Sequence, residues 1–261
     1  YMVDIDSKLY KIKAMVDKGE YFTINRARQY GKTTTLRALR RYLKKDYVVV
    51  SLDFQKEMSH AKFKNENSFS IAFSNAFLWK FSDNEDWMTE SVRTALNDFK
   101  AAVQEQRNDF ELVELFRYLS KMCKVSEKPI VLIIDEVDSA TNNQVFLDFL
   151  AQIRGYYIDR DETATFQSVV LAGVYDVKNI RRKLRDEEEH KVNSPKLSQG
   201  LYFWNIAADF LVDMSFSAND IIGMLQEYDE DYHVGMDIVD MSNLLYDYTS
   251  GYPFLISRLC K

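Results

Sequence analysis

The sequence predicts an α/β fold in three layers, a mostly parallel central sheet between helices, followed by a helical C-terminal segment. Three observations point there. The continuous apolar run Ile130-Val131-Leu132-Ile133-Ile134 has the form of a strand buried on both faces, and such strands belong to parallel sheets. Strand-like and helix-like stretches alternate through much of the chain. A tight basic loop, Arg26 to Lys32, stands between a strand-like and a helix-like stretch.

The elements follow in order. Tyr21 to Asn25 reads as a short buried strand, Arg26 to Lys32 as the loop, and Thr33 to Leu43 as a helix whose Leu36, Leu39 and Leu43 recur at spacings of three and four. Tyr47 to Asp53 is a valine-rich strand ending in an acid. From Ser68 to Cys123 helical spacing is nearly unbroken, with Ile71, Phe73, Phe77 and Leu78 in one stripe and Leu112, Leu115, Phe116 and Leu119 in another; polar loops are expected at 82–85 and 106–109. After the strand Ile130 to Asp135 come a helix over 143–157, a strand over 166–173 and a short helix over 177–185. Phe210 to Met214 reads as a last strand, Ser217 as the N-cap of a helix to Tyr228, and everything from Met236 onward as helical. The expected division is a core over 1–216 and a helical lid over 217–261.

Composition narrows the function classes. The 261 residues carry 34 Lys and Arg against 40 Asp and Glu, with 46% hydrophobic residues and only 3 prolines, which excludes disordered and low-complexity classes. The net charge of −6 argues against a broadly basic surface, so direct nucleic-acid binding is not expected. The longest purely apolar run, Ile130 to Ile134, is far shorter than the roughly 20 residues that cross a bilayer, so no membrane partner is expected. Cys123 and Cys260 lie far apart without C-x-x-C spacing, which argues against a disulfide framework or zinc site and suits a reducing, cytoplasmic setting.

Arg26-Ala27-Arg28-Gln29-Tyr30-Gly31-Lys32-Thr33 has the context that a phosphate-binding P-loop requires. Triphosphate oxygens need converging backbone N–H donors, and a turn feeding a helix N-terminus supplies them together with the helix dipole. Lys32 adds a point charge at the β- and γ-phosphates, the Thr33 hydroxyl is placed to ligand Mg2+, and Gly31 admits close approach of the backbone. The usual pattern, G-x-x-x-x-G-K-[ST], has its first glycine replaced here by Arg26. Arg26 and Arg28 read equally as surface charges or as phosphate- or partner-facing groups. About a hundred residues on, the apolar run ends in Asp135-Glu136, the form of a Walker B strand. Asp135 is expected beside the phosphate loop, holding Mg2+ directly or through water, and Glu136 is expected to orient and deprotonate the attacking water. Asp53 reads either as a third acid of this site or as a strand-end cap.

The segment from Tyr21 to Thr34 resembles the bacterial AAA-ATPase-like family, whose loop typically reads R-x-R-x-[FY]-G-K-[ST]. Tyr1-Met2-Val3-Asp4 is similar to that family's opening segment, and Leu171 to Val177 to its sensor strand. The resemblance makes the missing glycine a family trait and implies an ASCE-type P-loop NTPase core, with Arg28, Gln29, Tyr30, Gly31, Lys32, Thr33 and Thr34 on the nucleotide, Thr33 and Asp135 on magnesium, and Glu136 and Lys32 in catalysis. Gly251-Tyr252-Pro253 looks like the G-x-P turn of related signal-transduction ATPases, which would bring Pro253 near the nucleotide; it reads equally as a helix break. Arg258 is a candidate lid sensor. Arg181, Arg182 and Arg185 read as a solvated helix face more readily than as a finger for a neighbouring subunit. Residues 196–203 separate Ser194-Pro195 from Trp204-Asn205-Ile206-Ala207, where the family runs S-P-W-N-I-A, and look inserted; Lys261 falls within what should be a lid helix.

The expected function is ATP binding and Mg2+-dependent hydrolysis, with ATP and Mg2+ as ligands and a second copy or another protein as a further partner. The alternative is a nucleotide-gated switch or adaptor that hydrolyses little. A small-molecule kinase is disfavoured by Glu136, which suits water as the acceptor.

Overall fold

The computed structural model describes residues 3–82, 88–105, 108–174 and 206–260. They divide into two compact units, one drawn from 16–25 and 43–210, the other from 1–15, 26–42 and 211–261.

The larger unit holds the sheet. Strands β1 (Phe22–Asn25), β2 (Val48–Asp53), β3 (Ile130–Asp135) and β4 (Ser168–Gly173) lie in the order β1-β4-β3-β2, and every pair is parallel. This is the α/β architecture that the sequence predicts. The strand that ends in Asp135 is not the neighbour of the strand that leads into the loop, because β4 lies between them. Every position of β3 and β4 is buried, which accounts for sequences that are apolar apart from Asp135 and Ser168 at their ends.

One face of the sheet shares a buried core with α4 (Glu66–Ser82), α5 (Glu90–Gln104), α6 (Leu112–Val125) and α7 (Gln144–Ile158). On that face Val50, Leu132 and Val169 stand in register across three strands. Phenylalanines fill the space between sheet and helices. The Phe149 ring lies 4.8 Å from that of Phe73 and 5.2 Å from that of Phe69, centroid to centroid. Tilted pairs of this kind contribute beyond their buried area because the ring quadrupoles avoid face-to-face overlap. A short helix, α3 (Phe54–Glu57), follows β2.

The smaller unit contains most of α1 (Asp6–Asp17) and of α2 (Lys32–Leu43), and all of α8 (Ala218–Tyr232), α9 (Ile238–Thr249) and α10 (Pro253–Leu259). The expected leucine stripe of α2 is buried, with Arg37 and Arg41 exposed. The expected cap at Ser217 is a reciprocal capping box: Ser217 Oγ accepts from the Asp220 amide at 3.1 Å, and Asp220 Oδ2 accepts from the Ser217 amide at 2.9 Å. Lys8 reinforces it, donating to Asp220 Oδ2 at 3.2 Å and to the Ser215 carbonyl at 2.8 Å. Ile221, Leu225, Leu245 and Ile256 form the small core of α8 to α10.

Several expectations change. Residues 210–214 form no strand. Ala208 alone bridges β1, its amide donating to the Tyr21 carbonyl at 2.8 Å, and the Phe210 ring stacks on Phe22 at 5.7 Å. The Val212 carbonyl is taken by the Arg26 guanidinium at 3.2 Å instead of by a neighbouring strand. The C-terminal stretch is helical but breaks at 250–252, where Gly251 has φ 73° and a Cβ on it would land on the Phe216 carbonyl oxygen. Helix α1 was not expected, although Leu9, Ile12 and Val16 are spaced as a buried stripe. The expected helix 177–185, with Arg181, Arg182 and Arg185, and the segment 196–203 lie outside the described residues. Among the described residues no helix is long and apolar enough to cross a membrane.

Two outcomes test these packing statements. Phe149→Ala should cost roughly 3–5 kcal/mol, read as a lower denaturant midpoint. Burial alone would push the Asp220 carboxyl up, but the Ser217 amide and Lys8 outweigh it and hold the group below the ordinary carboxylate range. A carboxyl depressed on folding stabilises above its unfolded pKa, and that contribution is lost as pH falls through the folded value. The thermal midpoint should therefore fall on acidification, and Asp220→Asn should flatten that dependence; an unchanged acid profile would refute the assignment.

Candidate functional site

The loop from Arg26 to Gly31 takes its shape from two left-handed residues, Gln29 at φ 65° and Gly31 at φ 72°. No protein atom lies within 4 Å of where a Gly31 Cβ would stand, so within the protein it is the positive φ that calls for glycine here. Gly31 also opens α2, its carbonyl accepting from the Thr35 amide at 2.8 Å. The first turn of an α-helix presents amides with no carbonyl four residues back, and that of α2 contains no acidic residue. Anions are favoured at such a helix end.

Lys32 is 7% exposed, so its ammonium must find acceptors. It donates to the carbonyls of Arg26 at 2.7 Å and Ala27 at 3.2 Å, folding back over the loop it terminates. Thr33 is half-buried, while Thr34 and Arg28 are exposed. The Tyr252 hydroxyl donates to the Arg28 carbonyl at 2.8 Å, and its ring packs against Tyr30 with centroids 4.7 Å apart.

Beside the loop lies a largely apolar cavity of about 850 Å³. Tyr30, Gly31 and Thr34 form its loop side and Pro253 its α10 side, so four of the expected nucleotide-binding residues meet on one space. Val3 and Ile5 from the N-terminal segment and Met214, Met224 and Met241 complete much of the apolar wall. Arg258 is exposed and does not contribute to this wall. The cavity draws on three stretches far apart in the sequence, and no local pattern announces it.

In the sheet unit, β3 delivers Asp135 to its C-terminal end at 6% exposure. Asp135 Oδ1 accepts from the Glu136 amide at 2.9 Å, and Glu136 itself turns left-handed, φ 57°, to start the 3₁₀ turn Val137–Ser139. Left-handed backbone at a non-glycine residue costs energy and concentrates at functional sites. The Ser139 hydroxyl steadies the turn by donating to the Glu136 carbonyl at 3.0 Å.

Asp138 was not singled out from the sequence. Its Oδ2 accepts from the Val174 amide at 2.6 Å, tying the acidic turn to the end of β4, and a Cβ on Gly173 would crowd its Oδ1 at 2.9 Å. The pairing of Asp135 and Asp138 around Glu136 was the available signal. Asp53 stands in register with Asp135 on the adjacent strand, but its carboxylate caps α3, accepting from the Lys56 amide at 3.2 Å and pairing with the Lys56 ammonium at 2.8 Å. The strand-end cap is thus formed, at a position level with Asp135. Among the described residues, no three His, Cys, Asp or Glu side chains group as a metal centre of their own.

A family profile described as "Predicted AAA-ATPase" matches residues 2–180. Among solved structures, the chain is similar to the Walker-type ATPase of Pyrococcus abyssi, with a TM-score of 0.60, 15% identity and coverage of 98% of this chain and 66% of that one. It is also similar to Cdc6p from Pyrobaculum aerophilum, with a TM-score of 0.46, 15% identity and coverage of 87% and 49%. For the Orc1 protein of Aeropyrum pernix, solved in complex with DNA, the TM-score is 0.43, the identity 12% and the coverage 88% and 50%. This chain thus spans less than two thirds of each of those proteins. No curated protein matches it. The fold is shared with a Walker-type ATPase, and because the profile covers more than half of the chain, the protein belongs to the AAA-ATPase-like family, described as predicted AAA-ATPases.

Proposed function

We propose that the chain binds ATP with Mg2+ and hydrolyses it. The observation that carries this reading is the loop 26–31, which feeds an α-helix whose first turn lacks an acid and opens beside an apolar cavity. The loop amides and Lys32 bind the phosphates, with Arg28, Gln29, Tyr30, Gly31, Thr33 and Thr34 lining their path. The cavity takes the nucleobase, with Pro253 against it. Residues 1–216 act as the core and 217–261 as the lid. The free Cys123 and Cys260 suit a reducing cytoplasm.

The donor set suits magnesium. The Thr33 hydroxyl and the Asp135 carboxylate are hard oxygen ligands, and two protein ligands completed by phosphate oxygens and water are what Mg2+ ordinarily takes. When bound, the metal would neutralise charge developing on the phosphate oxygens. Glu136 accepts a proton from the water whose oxygen attacks the γ-phosphorus as the bond to the bridging oxygen breaks, releasing ADP and phosphate. Lys32 stabilises the charge gathered on the departing phosphate oxygens.

Calorimetric titration and single-turnover hydrolysis test the reading together. Lys32→Ala should abolish measurable ATP binding while the protein stays folded. Glu136→Gln should retain ATP affinity and slow hydrolysis by about 100-fold or more. Tight binding with negligible hydrolysis by the unaltered protein would instead identify a nucleotide-gated switch. Absence of binding by the folded protein with Mg2+ would refute the nucleotide assignment itself.

A further inference from the structure

We infer that Tyr252 is a positioning residue for the phosphate loop, through its hydrogen bond to the Arg28 carbonyl, and that it links phosphate occupancy of the loop to helices α9 and α10. The inference rests on the reading of residues 26–32 as a phosphate site.

The tyrosine is held from behind by a dense set of short-range bonds. The Thr249 hydroxyl donates to the Leu245 carbonyl at 2.6 Å and accepts from the Gly251 amide at 3.2 Å. The Tyr252 amide donates to the Thr249 carbonyl at 2.9 Å, and the Gly251 carbonyl accepts from the Phe216 amide at 2.8 Å. Thr249 is buried, and Gly251, at φ 73°, leaves no room for a side chain beside the Phe216 carbonyl. Pro253 then fixes the first residue of α10. A side chain projecting from this turn has a well-defined origin.

From that origin Tyr252 reaches the loop at two points on either side of Gln29. Its hydroxyl donates to the Arg28 carbonyl at 2.8 Å, and its ring lies 4.7 Å from that of Tyr30, tilted by 42°. Gln29, between these tethers, is a non-glycine residue in the left-handed region at φ 65°. The described chain contains no cis peptide bonds, and in a trans peptide the carbonyl and the following N–H point in opposite directions. Fixing the Arg28 carbonyl towards Tyr252 therefore directs the Gln29 amide to the other side of the loop. Lys32 does the same for the two preceding peptides by holding the carbonyls of Arg26 and Ala27. Three successive carbonyls are thus held by two side chains. Each amide that follows them, that of Ala27, Arg28 or Gln29, is turned away from the side chain that holds the preceding carbonyl, and the loop peptides are fixed without any contribution from the ligand, which is the preorganisation that an anion-binding loop needs.

Tyr252 touches the loop backbone and not the reacting atoms, so its effect must appear in phosphate recognition. Linkage makes the effect reciprocal: phosphate that favours this loop geometry strengthens the hold on the turn between α9 and α10 by the same factor.

Tyr252→Phe keeps the ring and deletes the hydroxyl. In the full chain with Mg2+, dissociation constants for ATP, ADP and adenosine should separate the roles. ATP and ADP should weaken by about fivefold, while adenosine, which lacks phosphate, should change by less than about twofold. The melting midpoint without ligand should stay within about 2 °C of the unaltered protein, and the ATP-induced rise should be smaller. Equal weakening of all three ligands, or no change in any, would overturn the inference while leaving the nucleotide assignment intact. Failure of the unaltered protein to bind ATP would overturn both, and is seen before any variant is made.

Discussion

A buried lysine at the start of a helix whose first turn has no acid sets the terms for the smaller unit. The positive end of the α2 dipole, Lys32 and the two loop arginines concentrate charge of one sign within a few residues. The structure relieves this with backbone oxygen: Arg26 and Ala27 carbonyls for Lys32, the Val212 carbonyl for Arg26. Neutral carbonyl dipoles solvate a cation without cancelling its charge. These carbonyl contacts leave the charge of Lys32 in place, and Gln29 and Gly31 give the loop its two left-handed turns of backbone.

The acidic turn solves the opposite problem. Asp135 is buried at the end of a strand, where an ionised carboxylate needs donors, and the next amide in the chain supplies one. Glu136 then turns left-handed, which lifts it out of the strand path at once. Asp138 completes the turn by reaching the end of β4, and Gly173 leaves space for it. Two adjacent acids of similar chemistry acquire different surroundings because the backbone between them changes hand.

What could be read from the sequence was whatever depends on neighbours in the chain. The run Ile130 to Asp135, the leucine stripe of α2 and the Ser217 cap are set by periodicity or by residues within a turn of one another, and all three form. Residues 210–214 look like a strand because Phe210, Leu211 and Val212 make a short apolar run, but a strand needs a ladder, and the Arg26 side chain occupies one of the carbonyls. Helix α1 was legible in the spacing of Leu9, Ile12 and Val16 and was overlooked beside the stronger signal that follows it. The cavity wall and the Tyr252 contact join residues more than two hundred positions apart, so no local pattern encodes them. Gly31, Lys32 and Pro253 were recognisable as types; what each one faces was not.

The strand order carries a temporal consequence. Phe22 has its partners at Val170 in β4 and at Ala208, so the first strand to leave the ribosome finds its place in the sheet only after most of the chain has emerged. β2 and β3 pair without waiting for β4, whereas β1 must keep its apolar side chains shielded by other means during that interval. Its brevity, four residues, limits how much sticky edge the nascent chain displays meanwhile.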